Sequence, residues 1–221
     1  MPYGSAYDAM HTLAERRAAG EIPDVLALLE HPPVFTAGRR SDPSHLVLAE
    51  HEIERAGAEL HFVDRGGSVT FHGPGQLVGY PIVDLGPSQD VIRYLRRLEE
   101  VVIGACADLG VEVSRSEGYT GVWAGDRKVC AIGVKVSRGV TLHGFALNCT
   151  TDLSWFGAIV PCGLADRGVT TLTELAGRPI TVEDAIPIVA ARFEQVFERR
   201  LVPAPAEVLR TFAGEREPAP L

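Results

Sequence analysis

Between Tyr119 and Cys149 the chain alternates short apolar runs with tight turns, at a spacing that leaves no room for a helix. The runs Tyr119 to Trp123, Lys128 to Val136 and Thr141 to Cys149 are separated only by Gly125-Asp126 and Arg138-Gly139. Such dipeptides suit the turns that close hairpins. A meander of antiparallel strands is the tightest constraint on what this chain can become.

Around the meander the pattern is mixed. Val25 to Leu29, Glu59 to Asp64 and Leu77 to Leu85 read as further strands, with Val34 to Arg40 leading through a loop into a short helix near Ala49 to Ala56. Ser5 is placed to cap a first helix with an apolar stripe at Tyr7, Met10, Leu13 and Ala14. Asp90 is placed to cap the longest helix, with Val91, Leu95, Leu98, Val102, Ala105, Cys106 and Leu109 facing a core. Thr181 with Asp184 three residues on opens a last helix whose first turn Pro187 should make irregular. Strands and helices without regular alternation give an α+β class, a mixed, largely antiparallel sheet with flanking helices.

At 221 residues and 46% hydrophobic content the chain can bury one substantial core. Residues 1–202 read as a single catalytic domain, and the Pro-rich tail 203–221 as extended or mobile. A net charge of −8 removes the global basic field that nucleic acid or an anionic membrane would select. No leader pattern and no membrane-length apolar run are visible, so a soluble, cytoplasmic protein with reduced cysteines is expected.

Several chemistries fail on spacing. Both lysines, Lys128 and Lys135, follow Arg127 and Val134, so there is no phosphate-binding Gly-Lys loop. Gly73-Pro74-Gly75 begins like a dinucleotide fingerprint, but Val78 holds its third glycine position. His51-Glu52 would open a zinc-protease motif, but Arg55 stands where the second histidine belongs, and no metal is expected.

Thiol chemistry remains. Cys162, between Pro161 and Gly163, has the uncrowded setting a nucleophile wants, although a lone cysteine also serves as a buried apolar residue. The 21 basic residues are 19 arginines and two lysines, and a lysine kept against that bias suits a role in which a proton must leave. Lys128 heads an apolar strand and is either a partner for a thiol or a charge snorkelling from a strand end. Strand alternation puts Cys130 on the face of Lys128, as a rival thiol, and Lys135 on the opposite face. His72 reads as lining or orienting a pocket ahead of acting as a base.

Four blocks resemble, in order, the signature of the lipoyl(octanoyl) transferases. They are Asp64-Arg65-Gly66-Gly67-Ser68-Val69-Thr70-Phe71-His72-Gly73-Pro74-Gly75-Gln76, Arg127-Lys128-Val129-Cys130-Ala131-Ile132-Gly133, Leu142-His143-Gly144-Phe145-Ala146-Leu147-Asn148 and Ile159-Val160-Pro161-Cys162-Gly163. The likeness runs from about Val25 to Ala176. It implies the fold of biotin and lipoate ligases and transfer of an octanoyl (or lipoyl) group from acyl carrier protein to a lysine of a lipoyl domain, the first committed step of protein lipoylation. Cys162 takes the acyl-thioester position and Lys128 that of the lysine that tunes it.

The same resemblance assigns the acyl-site lining to Arg65, Gly66, Gly67, Ser68, Val69, Thr70, Phe71 and His72, then Ala131, Ile132 and Gly133, then Gly144, Phe145 and Ala146. It implies no cofactor, neither ATP nor metal. The implied partners are octanoyl-acyl carrier protein and the apo lipoyl domains of 2-oxoacid dehydrogenase E2 subunits and of the glycine cleavage H protein, met by a monomer. Rivals are an ATP-using lipoate or biotin ligase, an amidotransferase between lipoylated proteins, and a silent carrier-binding module.

Overall fold

A computed structural model describes residues 1–159 and 167–213, so Cys162 lies outside the described residues. In chain order the elements are α1 (Tyr3–Ala18), β1 (Val25–Leu29), β2 (Val34–Ala37), α2 (Glu50–Arg55), β3 (Glu59–Phe62), β4 (Val69–His72), β5 (Gln76–Ile82), α3 (Val91–Asp108), β6 (Ser114–Ser116), β7 (Tyr119–Ala124), β8 (Arg127–Ser137), β9 (Val140–Asn148), α4 (Leu172–Ala176), α5 (Val182–Phe197) and α6 (Ala206–Ala213). Short 3-10 turns lie at Pro43–His45 and Leu153–Ala158.

The meander forms, and β5 and β1 extend it into a six-stranded antiparallel sheet ordered β1-β5-β9-β8-β7-β6. A second, three-stranded sheet is ordered β3-β2-β4, with β2 parallel to β3 and antiparallel to β4. The architecture is α+β as expected, but divided between two sheets. Val34–Ala37, read from sequence as a lead-in to a loop, is the central strand of the smaller one, because Phe35 and Ala37 pack with Val69, Phe71 and Ile53.

The large sheet is covered differently on its two faces. Against one lie α3 and α5, where Leu98, Val102, Ala105, Cys106, Val189 and Phe193 meet Leu77, Val122, Cys130 and Leu147. Against the other lies α1, whose Ala6 and Met10 meet Val78, Tyr80 and Ala146 while Leu13 and Ala14 meet Ile82 and Leu142. The small sheet shares this second side, and the open space between it and β7–β9 is the cleft described below.

Several local expectations are corrected. The first helix starts at Tyr3 after Pro2, not at a Ser5 cap, because proline's fixed φ already suits a helix entrance. On α3 the buried stripe is carried by Tyr94 and Val101 with Leu98, Val102, Ala105 and Cys106, whereas Val91 and Leu95 face the cleft. Pro187 sits inside an unbroken α5: the Thr181–Asp184 capping box and the buried Val182, Ala185, Val189 and Phe193 offset the lost backbone bond. The tail is not extended throughout, since α6 carries Val208, 1% exposed, into the cluster of Leu13 and Ala14. Among the described residues no helix is long and apolar enough to cross a membrane.

Candidate active site

The chemistry of the cleft depends on one irregularity in β8. Val122 pairs with Cys130 but Trp123 with Lys128, so Val129 is an extra residue, a bulge. A bulge reverses strand alternation beyond it. Val129 and Cys130 therefore both point into the α3 core, while Lys128, Ala131 and Gly133 share the cleft side. This corrects two expectations from strict alternation: Cys130 does not share the face of Lys128, and Lys135 does. Lys135 reaches across to Asp64, with Nζ 2.5 Å from Oδ2.

The cleft has a volume of about 500 Å³. Its floor is the middle of β8 and β9, where Ala131 lies opposite Ala146 and Gly133 opposite Gly144. Small side chains are enforced here. A Cβ on Gly144 would come within 2.1 Å of the Gly79 carbonyl oxygen, and one on Gly133 within 3.1 Å of that of Gly66.

One wall is the glycine-rich connection into β4, contributing Arg65 to Thr70 and His72, and the opposite rim carries Val91, Leu95, Tyr119 and Lys128. Val78, Tyr80 and Tyr3, beneath the start of α1, close the inner end. Of the residues assigned to the lining from sequence only Phe71 stands away. It is fully buried in the small sheet, stacked on Trp155 at 5.3 Å, because alternation along β4 turns it from Thr70 and His72.

Arg65 is only 7% exposed, and its guanidinium donates to the carbonyls of Gly66 (3.0 Å), Ser68 (2.8 Å) and Thr36 (2.5 Å). These bonds hold the glycine turn in shape and dock it onto β2. The turn is tied to the large sheet by Asp64, which also accepts from His143 Nε2 at 2.8 Å. Hydrogen bonding from His143, and then from Lys135, holds the Asp64 carboxyl well below its usual range against the opposing effect of burial. His11, Asp64 and His143 converge, but the Lys135 ammonium already occupies the same carboxylate, an unfavourable neighbour for a metal ion.

His72 is held in its neutral form. Burial pushes its pKa down to about 3, and Nδ1 lies 2.8 Å from Gln76 Oε1. Gln76 donates to Asn148 Oδ1 at 2.9 Å, Asn148 to the Thr170 carbonyl at 3.0 Å, and the Thr170 N–H to the Lys128 carbonyl at 3.0 Å. A continuous chain of buried amides thus joins the histidine wall to the main chain of Lys128.

Lys128 is placed by both backbone and side chain. Its N–H donates to the Gly168 carbonyl at 2.9 Å, and it bridges in parallel to Val169. Its Nζ lies 4.6 Å from the centre of the Trp123 ring. The stem runs past Gly121, where φ is +119° and a Cβ would meet the Cys130 carbonyl oxygen at 2.6 Å, so only glycine fits. On the other side of residues 160–166, Ile159 bridges to Leu46. The three described cysteines are poor nucleophiles: burial pushes the thiols of Cys106 and Cys149 up to about 12 and that of Cys130 well up.

Reasoning from sequence did not single out Tyr3, Val78, Tyr80, Tyr119, Gly121, Trp123 or Arg167 for the cleft and its rim. They reach it from α1, β5, β7 and the chain before α4; the first helix and the Leu77 to Leu85 and Tyr119 to Trp123 strands were anticipated, but not their part in the cleft.

The chain matches, over residues 2–194, the family described as lipoyl protein ligase A/B catalytic domain. An octanoyltransferase of Koribacter versatilis is 47% identical over 206 residues, covering 90% of this chain and 82% of that one. One of Mycobacterium avium is 53% identical over 194 residues, covering 85% and 80%. Among solved structures, a lipoate-protein ligase A bound with ATP superposes with a TM-score of 0.74 at 16% identity, covering 93% of this chain and 88% of that one. A putative lipoate protein ligase of T. acidophilum with bound lipoic acid gives 0.73 at 17%, covering 93% and 88%. At such identities the likeness bears on fold alone.

Proposed function

We propose, from the premise that this chain belongs to the octanoyltransferases of the lipoyl protein ligase A/B catalytic-domain family, that it takes its octanoyl group from acyl carrier protein and passes it through a thioester on Cys162. The acceptors are apo lipoyl domains, those of 2-oxoacid dehydrogenase E2 subunits and the glycine cleavage H protein, met by a monomer in the cytoplasm. The observation that carries this is the pairing of Lys128 with Gly168 to Thr170, a few residues after Cys162, on the rim of a cleft whose floor is kept bare by Gly133 and Gly144.

In the first half-reaction the Cys162 thiolate attacks the carrier thioester, the C–S bond to the carrier breaks, and its thiol leaves with a proton. In the second the acceptor lysine, as a free amine, attacks the enzyme thioester, the bond to Sγ breaks, and an amide forms. Lys128 is the group that holds and returns protons at Cys162, a role guanidinium cannot fill. Ala131, Ile132, Gly133, Gly144 and Ala146 form the bed of the acyl chain, whose burial favours binding by about 0.8 kcal/mol per CH₂. Arg65 and the glycines after it form the wall, and neutral His72 orients that wall without acting as a base. A thioester donor is already activated, so neither ATP nor a metal enters the balance.

The acidic carrier meets exposed arginines. Arg40 stands at the cleft mouth beside Arg39, whereas Arg127 and Arg138 already face Glu174 at 3.6 Å and Glu15 at 3.7 Å. Intact-mass measurement after mixing with octanoyl-acyl carrier protein, without ATP, tests the whole reading. The expected result is an octanoyl adduct in wild type and in Cys130→Ala, absent in Cys162→Ala and discharged by apo lipoyl domain. An adduct that survives Cys162→Ala, or one that needs ATP, would overturn it.

A further inference from the structure

Trp123 is 1% exposed, and its indole N–H has no hydrogen-bond partner among the described residues. A buried N–H left unpaired is destabilising, and phenylalanine would fill an apolar slot without that cost. What tryptophan offers beyond phenylalanine is the strongest aromatic face for cations. Two cations use it. Lys128 Nζ lies 4.6 Å and Arg167 Cζ 5.1 Å from its ring.

Arg167 is held from two further directions. It lies 4.3 Å from the ring of Tyr119, whose centre is 6.0 Å from that of Trp123, and Nη1 donates to Ser116 Oγ at 2.8 Å. It leads directly into Gly168 and Val169, which pair with the main chain of Lys128. The same indole therefore meets the side chain of Lys128 and the residue that begins the short segment bonded to its backbone. The other charges near this platform are largely committed. Arg127 faces Glu174, and Glu99, behind Gly121, is bound by Arg96 at 2.7 Å and Arg115 at 3.0 Å.

We propose that Trp123 and Arg167 are positioning residues for the transfer. The indole fixes where the Lys128 ammonium stands at the rim of the cleft, and the Arg167 guanidinium, shared between Tyr119 and Trp123, fixes the indole and the chain entering Gly168. Neither touches the reacting atoms. The inference rests on the role given to Lys128 above.

The test uses the full chain as wild type, Trp123→Phe, Arg167→Gln, Arg167→Lys and Lys128→Ala. For each, the melting temperature is measured, with kcat and both Michaelis constants for octanoyl transfer from octanoyl-acyl carrier protein to apo lipoyl domain. Trp123→Phe should keep or raise the melting temperature while kcat falls at least tenfold and both Michaelis constants stay within twofold. Arg167→Gln should lower kcat at least fivefold, and Arg167→Lys should recover half or more of the loss. A purely structural role would instead lower the melting temperature and activity together. Wild-type kcat in Trp123→Phe, or losses that only track stability, would overturn this inference alone. Wild-type kcat in Lys128→Ala would overturn the reading beneath it, and the inference with it.

Discussion

The two faces of the six-stranded sheet are made by the same strands and do opposite work. Toward α3 and α5 the described buried residues are largely apolar; Glu99 is held there by two arginines, and the Thr141 hydroxyl bonds to the backbone of Pro81 and Val83. Toward α1 and the small sheet the buried set includes Arg65, Ser68, His72, Gln76 and His143. Buried polar groups cost stability unless every one is bonded, so the second face needs its amide chain and its Asp64 cluster merely to break even. The first face supplies stability, and the second spends part of it on a shaped, polar-walled cleft. The bulge at Val129 decides which face each residue of β8 joins.

The sharpest way to separate the faces is to remove Lys128. Lys128→Ala should lower the rate of octanoyl transfer by roughly 10² to 10⁴, the range for a positioned acid or base, while the midpoint of urea unfolding barely moves. Steady-state transfer assays beside urea unfolding curves check both halves. A loss of fold comparable to the loss of rate would make Lys128 part of the stabilising face.

Acid should attack the cleft side first. Burial lowers His31 to about 4 and His72 to about 3 from an unfolded value near 6.5. Between those limits the unfolded chain takes up protons that the native state refuses, so stability rises with pH across this window. It is fully present above about pH 6.5 and is lost as pH falls toward 4. Each group involves more than two pKa units, so the loss should reach a few kcal/mol. Denaturation midpoints at pH 7, 5.5 and 4.5 give the slope. His31→Gln should flatten it, because the neutral ring bridges the Met1 carbonyl and the Tyr80 hydroxyl, each at 2.7 Å, and glutamine does not titrate.

Filling the floor comes next. Gly144→Ala places a methyl against the Gly79 carbonyl, a backbone atom that cannot turn aside, and should cost about 2 to 3 kcal/mol. Gly177→Ala, where a Cβ meets nothing but φ is +65°, controls for the loss of a glycine alone and should cost less. Thermal melts of both variants rank them. Equal losses would mean that β5 and β9 can spread at the floor.

What was legible in the sequence follows the same division. The dry face is periodic: the meander, the Asp90-capped helix and the burial of Cys106 all follow from apolar spacing and turn residues. The glycine-rich wall was readable because its motif is contiguous, as was the α+β class. The division into two sheets was not, since β2 is four residues long and wholly buried, with no alternation to announce it. Nor was the bulge, because nothing in Lys128-Val129-Cys130 marks one residue as extra until Gly121 and Trp123 lie alongside. Trp123 and Arg167 were hidden for a related reason: each looks like ordinary core or surface until the partner strand is known.

Cys130 gives the smallest effect and the finest cut between the faces. Alternation alone put its thiol beside Lys128; the bulge places it in the α3 core, 0% exposed, with burial raising its pKa. Its Sγ makes a long contact with the Ala131 carbonyl, 3.5 Å. Cys130→Ala therefore removes one buried sulfur and leaves a small cavity, which should cost about 1 kcal/mol and no transfer activity. Cys130→Ser is the harder test, since a hydroxyl in the same place is polar and short of partners, and should cost more than alanine although it is closer in size. If serine proves milder than alanine, or if either change slows octanoyl transfer, then the thiol sees the cleft, Val129 does not reverse the strand in solution, and the two faces are less separate than the pairing of Trp123 with Lys128 implies.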